Sequence, residues 1–415
     1  MAKDVREFDL VLMGATGFTG RLVAEYLLRA GEKEGLKWAL AGRNEKKLQE
    51  LKDQLGKGAD ALEIIVADSL DRESLEALAR RTQVVCSTVG PYSKYGTPLV
   101  EACVQSGTDY CDLTGEAHWI RKIIDLLHDK AEKNQARIVH CCGFDSIPSD
   151  LGVLMMQRAA KRKYSRPAQS MKYFLARGRG GVSGGTLDSV ATSMEEVGKN
   201  KKVARQMADP YGLNPESSPR GSDGGFQKGV AYDRDIQGWT APFVMAVINE
   251  KIVRRSNALL ENEYGQDFNY SEVSLMGSGV SGALKATGMT LSLGAFAGGM
   301  ALAPTRRLLQ RFVLPSPGEG PDEAAREAGY FNVKLFARGV DDEGKSFTLK
   351  GAVGADKDPG YGATAIMLGE SALCLALDGE VTAARGGILT PAVAMGERLI
   401  ERLKTAGMTF EVHED

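Results

Sequence analysis

Residues Leu10-Val11-Leu12-Met13 form an apolar run that ends in Gly14-Ala15-Thr16-Gly17-Phe18-Thr19-Gly20. Leu22, Val23, Tyr26 and Leu27 follow at helical spacing. The order reads as a buried strand, a tight glycine turn and the start of a helix. Glycines at 14, 17 and 20 would let backbone N–H groups approach a pyrophosphate, and the helix points its positive end at that charge. The spacing is G-x-x-G-x-x-G rather than G-x-G-x-x-G, so the strand before and the stripe after carry the reading. An ordinary glycine-rich loop in an α/β protein is the competing interpretation. Gly14, Thr16, Gly17, Phe18, Thr19 and Gly20 are the expected contacts to the nucleotide.

The next strand bears on which nucleotide. Trp38 to Ala41 is apolar and leads into Gly42-Arg43-Asn44. An NAD site usually places an acid about 20 residues past the glycines to hold the ribose 2′-OH. No acid stands at that strand end, and an acid would repel a 2′-phosphate. A guanidinium binds one through paired charge-assisted hydrogen bonds. Gly42 and Arg43 therefore point to NADP(H). In the alternative, Arg43 is a solvated residue ahead of a helix capped by Asn44.

A chain of 415 residues has room for two domains and a sizeable core. Its net charge of −2 gives no reason to expect nucleic acid as a partner. The charged start, Met1 to Glu7, lacks the apolar region of a signal peptide. The expected location is cytoplasmic, either free or peripheral to a membrane. Six cysteines without metal-type spacing read as buried, reduced thiols. Four histidines, with no pair at zinc-ligand spacing, argue against a metal enzyme.

Strand-like runs at 8–13, 37–41, 62–67, 83–89, 108–113 and 137–142 alternate with helical patterns near 18–30, 45–55, 71–80, 97–106 and 116–134. Gly31 and Gly107 stand where helix C-caps would need glycine. This alternation predicts an α/β fold: a Rossmann-type doubly wound parallel sheet, joined to a second α+β domain. The expected division is 1–150 for the NADP domain, 151–355 for an α+β substrate or dimerisation domain, and 356–415 for helices packing back on the first. Residues 208–242, rich in Gly, Pro, Asp and Ser, read as a long ordered loop or flap. Phe331 to Ala352 reads as a hairpin turning at Asp341-Asp342-Glu343-Gly344.

Ala286 to Pro304 carries no charge and is rich in Gly, Ala, Leu and Met. It admits three readings: a helical hairpin buried in the core, a surface apolar element touching lipid or an acyl chain, and a membrane span. Glycines within it and charges close on both sides disfavour the span. The surface reading has a compact hairpin presenting Leu291, Leu293, Phe296 and Met300.

Ligands of an open parallel sheet bind beyond its C-terminal strand ends. Asp68 follows the third strand. The fourth runs into Val89-Gly90-Pro91-Tyr92 and Tyr95, with Gly90-Pro91 able to pass close to a nicotinamide ribose. The fifth strand ends at Asp112 and Glu116, the sixth at Gly143 and Asp145. Asp68, Val89, Gly90, Pro91 and Gly143 complete the expected cofactor contacts. Tyr92, Tyr95 and Asp145 are candidate catalytic groups, with Asp112 and Glu116 as further acids or orienting groups. Each also has a structural reading: Tyr92 packing, Asp112, Ser149 or Asp150 capping a helix. A Y-x-x-x-K match at Tyr330 to Lys334 falls in a strand pattern, which would part the side chains by about 13 Å, so it is rejected.

Taken together, Gly14–Gly20, Ala41-Gly42-Arg43, Thr88–Tyr92, Tyr110–Glu116 and Gly143–Asp150 resemble the saccharopine dehydrogenase-like oxidoreductases. Val182–Thr186, Arg254–Ala258 and Gly387–Ala392 extend the resemblance over nearly the whole chain. Within that group it is most similar to the trans-acting enoyl reductases. The resemblance implies NADP(H) and reduction of an enoyl double bond on an acyl or lipid substrate, carrier- or synthase-bound. Animal relatives are associated with lipid droplets. A peripheral lipid contact and a homodimer remain open, as do a saccharopine-type amino-acid oxidoreductase and a non-catalytic NADP-binding protein.

Overall fold

The computed structural model describes residues 6–180, 184–301, 304–306, 320, 322–379, 381–382 and 385–413. Val182 and Ser183, part of one resemblance motif, lie outside the described residues, as do two positions near the end of the uncharged run. The first six strands are β1 (Phe8–Met13), β2 (Trp38–Gly42), β3 (Glu63–Val66), β4 (Thr82–Ser87), β5 (Asp109–Asp112) and β6 (Arg137–Val139). Then come β7 (Ser170–Arg179), β8 (Ala231–Asp233), β9 (Gly238–Pro242), β10 (Asn269–Gly277), β11 (Tyr330–Val340) and β12 (Ser346–Ala355). The last two are β13 (Gly387–Leu389) and β14 (Thr409–His413).

Sheet order in the first layer is β13-β6-β5-β4-β1-β2-β3, and every neighbouring pair is parallel. Its β3 to β6 portion has the 3-2-1-4-5-6 order of a doubly wound nucleotide fold, whose ligand crevice opens between β1 and β4. Parallel strands covered by helices on both faces need apolar side chains on both sides. That is why β1, β2 and β4 consist almost entirely of buried residues. The second sheet runs β14-β12-β11-β7-β10-β9-β8 and is antiparallel except for the β7–β10 pair. Helix Ile147–Tyr164 leaves the end of the first sheet and packs on β12. At Gly152 its backbone comes so close that a Cβ would stand 3.1 Å from Leu335 Cδ1. Helix Gly362–Leu377 returns to pack on helix Phe18–Glu34 and on β4 and β5.

Several local expectations need correction. The first helix continues to Glu34, and Gly35, not Gly31, takes the left-handed cap at φ 69°. Gly31 is buried, and a Cβ there would lie 2.9 Å from Leu36 Cδ2, so it serves close packing. Gly107 does cap its helix, at φ 63°. That helix starts at Tyr92, so Tyr95 sits in its first turn rather than in a strand-end loop. Part of the expected flap is structured, because β8 and β9 extend the second sheet. From Ala286 to Ala301 the uncharged run belongs to one helix, Gly279–Ala301, and not to a hairpin. Val280, Leu284, Met289 and Leu291 on it are exposed, which overturns the core reading. Leu293 and Phe296 are half-buried and Met300 is buried, so Met300 is not on the outer face. Among the described residues no helix is long and apolar enough to cross a membrane.

Candidate active site

The glycine turn sets the first wall. Gly14 has φ 89°, and a Cβ on it would lie 2.7 Å from Val89 Cγ2. Gly20 is tighter still: its Cβ would overlap the Gly14 carbonyl oxygen and stand 2.9 Å from Ala15 Cα. Gly17 differs, being exposed, with only Gly14 O at 3.4 Å from an added Cβ. The open side of Gly17 is thus where a ligand can come close to backbone. Gly17 is also the N-cap of helix Phe18–Glu34, offers no side-chain cap, and no acid stands in the first turn. First-turn N–H groups lack intrahelical acceptors, so this end suits a diphosphate. The sequence-expected turn residues meet here, and the arrangement fits the nucleotide.

Arg43 is exposed just past β2, and Asn44 caps the next helix by accepting from Lys47 N at 3.0 Å. Asn44 is therefore the cap, and the exposure of Arg43 is what both readings of that corner require. Asp68 uses its carboxylate to accept from Leu70 N at 2.9 Å, which shapes the turn after β3.

Glu116 organises the opposite wall. Its carboxylate accepts from Tyr92 N at 2.8 Å, Ser93 N at 3.0 Å and Ser189 Oγ at 3.0 Å. A carboxylate at a helix N-terminus gains from both the free N–H groups and the dipole. It anchors the Gly90-Pro91 loop and joins it to helix Gly184–Lys199, an orienting role. Tyr92, a candidate proton donor, is buried and donates its hydroxyl to Ser87 O at 3.1 Å. Burial raises its pKa well above the ordinary tyrosine value. The hydroxyl is enclosed and committed to a backbone carbonyl, which is a packing arrangement. Tyr95 lies exposed on the helix surface.

Asp112 caps no helix. It is buried against His140, with Oδ2 2.8 Å from Nδ1, and accepts from Thr114 N at 3.1 Å. Asp150 accepts from Ala392 N at 2.8 Å and from Ser256 Oγ, tying helix Ile147–Tyr164 to the late segment. Asp145 is placed differently. Its Oδ1 would lie 3.2 Å from a Cβ at Gly115, and its Oδ2 3.3 Å from one at Gly143. The carboxyl therefore fills the gap between two glycines at the ends of β5 and β6. Its pKa is pushed up to about 7, first by burial of the carboxyl and then by the charge of Asp112, against the lowering effect of its own backbone N–H. Next to it, Phe144 N donates to Thr364 Oγ1 at 3.0 Å, so helix Gly362–Leu377 closes this side. Glu116 as a clamp, Ser189 and Thr364 were not apparent as a set in the sequence. Only the Glu116 position at a strand end hinted at it.

Residues 10–139 match the saccharopine dehydrogenase NADP-binding domain. A protein of Mycobacterium tuberculosis, provisionally named a trans-acting enoyl reductase, is 42% identical over 99% of both chains. A trans-acting enoyl reductase of Mycobacterium ulcerans is 38% identical over 98% of both. The chain belongs to the trans-acting enoyl reductase family. This family member carries an NADP(H) site and is an NADP-dependent oxidoreductase. Its fold is similar to that of yeast saccharopine dehydrogenase (L-Glu forming), from Saccharomyces cerevisiae. The TM-score is 0.52 at 14% identity, covering 98% of this chain and 99% of that one. At that identity the likeness concerns the fold alone.

Proposed function

We propose that this trans-acting enoyl reductase family member reduces the carbon–carbon double bond of an acyl thioester presented by a synthase or carrier. The observation that carries the reading is the Asp145 carboxyl, seated between Gly115 and Gly143 with its pKa near 7. NADPH bound at the glycine turn supplies hydride for the β-carbon. Asp145, whose raised pKa keeps a share of it protonated near neutral pH, would deliver that proton to the α-carbon. Glu116 keeps the Gly90-Pro91 loop in register with that carboxyl. The curated relatives' names supply the acyl-enoyl substrate class.

The exposed apolar helix Gly279–Ala301 supports a lipid-like chain. It packs against helix Gly184–Lys199, whose Ser189 reaches Glu116. An apolar surface thus lies one helix away from Glu116 and the Gly90-Pro91 loop it holds, where an acyl chain or a lipid interface would meet it.

A long-chain trans-2-enoyl pantetheine thioester, incubated with the protein and NADPH, tests the proposal. The expected result is loss of nicotinamide absorbance with a product two hydrogens heavier. Asp145→Asn should bind NADPH normally and lose most of the rate. In the unaltered protein the rate should fall as pH rises through about 7, as the carboxyl loses its proton. Full activity in Asp145→Asn, or turnover only of a 2-oxo acid with an amine, overturns it.

A further inference from the structure

The turn that carries Asp145 is held on both sides of the acid. Ahead of it, Phe144 N donates to Thr364 Oγ1 at 3.0 Å. Behind it, Ser146 Oγ donates to Asn249 Oδ1 at 3.0 Å. Ser146 is the N-cap residue of helix Ile147–Tyr164, yet its side chain makes no capping bond. A serine at that position ordinarily accepts from a first-turn N–H, so the helix forgoes its cap and the hydroxyl goes to Asn249. Asn249 lies on helix Ala246–Leu259, and its Nδ2 donates to Glu272 Oε2 at 2.9 Å. Glu272 belongs to β10 in the second sheet, and its Oε1 accepts from Tyr270 Oη at 2.8 Å. Glu272 N donates to Glu250 Oε1 at 3.1 Å, while Glu250 Oε2 accepts from Arg254 Nη2 at 3.1 Å. Ser146, Asn249 and Glu272 are all buried.

Apolar side chains would fill this space without desolvating a carboxyl. What the polar chain adds is direction, because a fully satisfied network fixes one arrangement of its members. A carboxamide has one acceptor end and one donor end. Glu272 Oε2 takes the donor end of Asn249, so the acceptor end is turned to Ser146 and the serine is held as a donor. We infer that Glu272 is a positioning residue for Asp145, acting through Asn249 and Ser146 to fix the acid-bearing turn against the second sheet. The inference rests on the proton-donor role proposed above for Asp145. Placement of such a donor matters, since a shift of about 1 Å can cost roughly 100-fold in rate. Burial raises the Glu272 carboxyl to about 7. Both of its protonation states leave an acceptor oxygen for Asn249, so the direction of the chain survives its titration.

The test compares the parent protein with Glu272→Leu, Glu272→Gln, Ser146→Ala and the Ser146→Ala, Glu272→Leu double variant. One readout is kcat for NADPH-dependent reduction of a long-chain trans-2-enoyl pantetheine thioester. The other is the titration midpoint of the Asp145 carboxyl by infrared spectroscopy, its band being the one missing from Asp145→Asn. Glu272→Leu should lower kcat roughly 10- to 100-fold and leave NADPH affinity as in the parent. Glu272→Gln keeps a carbonyl oxygen for Asn249 and should recover most of that loss. Ser146→Ala should match Glu272→Leu, and the double variant should lose no more than either alone, because both substitutions cut one chain. The Asp145 midpoint should fall in Glu272→Leu and in Ser146→Ala, as a loosened turn lets water reach the carboxyl. Asp112 and Cys141, the titratable neighbours of Asp145, are the same in every variant. Thermal unfolding shows whether Glu272→Leu is folded; if it is not, Ser146→Ala with Glu272→Gln carries the comparison. Full kcat in a folded Glu272→Leu or in Ser146→Ala overturns the inference, and so do losses that add in the double variant. If the parent itself reduces no thioester, the proton-donor role falls and the infrared midpoint alone judges the positioning. A midpoint unmoved in the folded variants then overturns the positioning as well.

Discussion

Gly17 and Gly20 look alike in the sequence, and the structure predicts opposite failures for them. At Gly17 an added methyl meets only Gly14 O at 3.4 Å, an ordinary contact. Gly17→Ala should therefore destabilise the cofactor-free protein by less than ~1 kcal/mol, the scale of an N-cap change. The same methyl enters the space through which backbone N–H groups reach the diphosphate. Losing one charge-assisted bond removes about 1.5–3 kcal/mol, or roughly 10- to 100-fold in affinity. At Gly20 the methyl overlaps the Gly14 carbonyl and crowds Ala15 Cα, both of them backbone. The helix and the turn must separate, so Gly20→Ala should destabilise by about 1–3 kcal/mol even without nucleotide. Urea unfolding of the cofactor-free proteins and nicotinamide fluorescence titration read the two effects separately. If Gly17→Ala binds NADPH normally, or if Gly20→Ala is as stable as the parent, the division of labour is wrong.

Arg43→Ala should weaken NADPH by about 1.5–3 kcal/mol and leave NADH unchanged, as measured by the same titration; equal losses would refute the 2′-phosphate role. Leu284→Asp with Leu291→Asp should leave folding intact, because both side chains are exposed, and should reduce binding to phospholipid vesicles or to long-chain acyl thioesters. Unaltered binding would remove the lipid-contact reading. The buried carboxyls of Asp145, Asp150 and Glu272 are each raised to about 7, chiefly by burial. The folded state therefore holds protons that the unfolded chain releases, and stability should fall as pH rises from about 4 to about 7. Unfolding free energy measured across that window should show a smaller fall in Asp150→Asn; an identical slope would contradict the assignment.

The nucleotide layer was legible because buried parallel strands leave continuous apolar runs, and because glycine spacing reports backbone geometry directly. Leu10–Met13 and Trp38–Ala41 are clear for that reason. β13 was not legible: three residues cannot show a period, and its pairing with β6 depends on segments far apart in the chain. The same distance hid the clamp at Glu116, which acts on Tyr92 N and Ser93 N rather than on its own neighbours. Asp145 could be picked as a strand-end acid, but its enclosure came only from glycines on two strands. The run from Ala286 misled because apolar composition alone does not separate a hairpin from one continuous helix. The helix runs through Gly288, Gly294 and Gly298, each penalty being only about 1 kcal/mol against alanine.

The late strands β13 and β14 have a consequence for how the protein is made. β13 completes the first sheet beside β6, and β14 completes the second beside β12. On the ribosome, strands β1 to β6 emerge first and can assemble while β6 still presents an unpaired edge. That edge is a template for wrong partners until Gly387–Leu389 arrives. The helix Gly362–Leu377 is also pending, and Arg137 on β6 waits for its contact with Leu375 O. Neither sheet has its last partner strand until residues 387–413 have been translated. Synthesis that halts before Gly387 would leave β6 and β12 as sheet edges in place of β13 and β14, a natural substrate for chaperones and proteases.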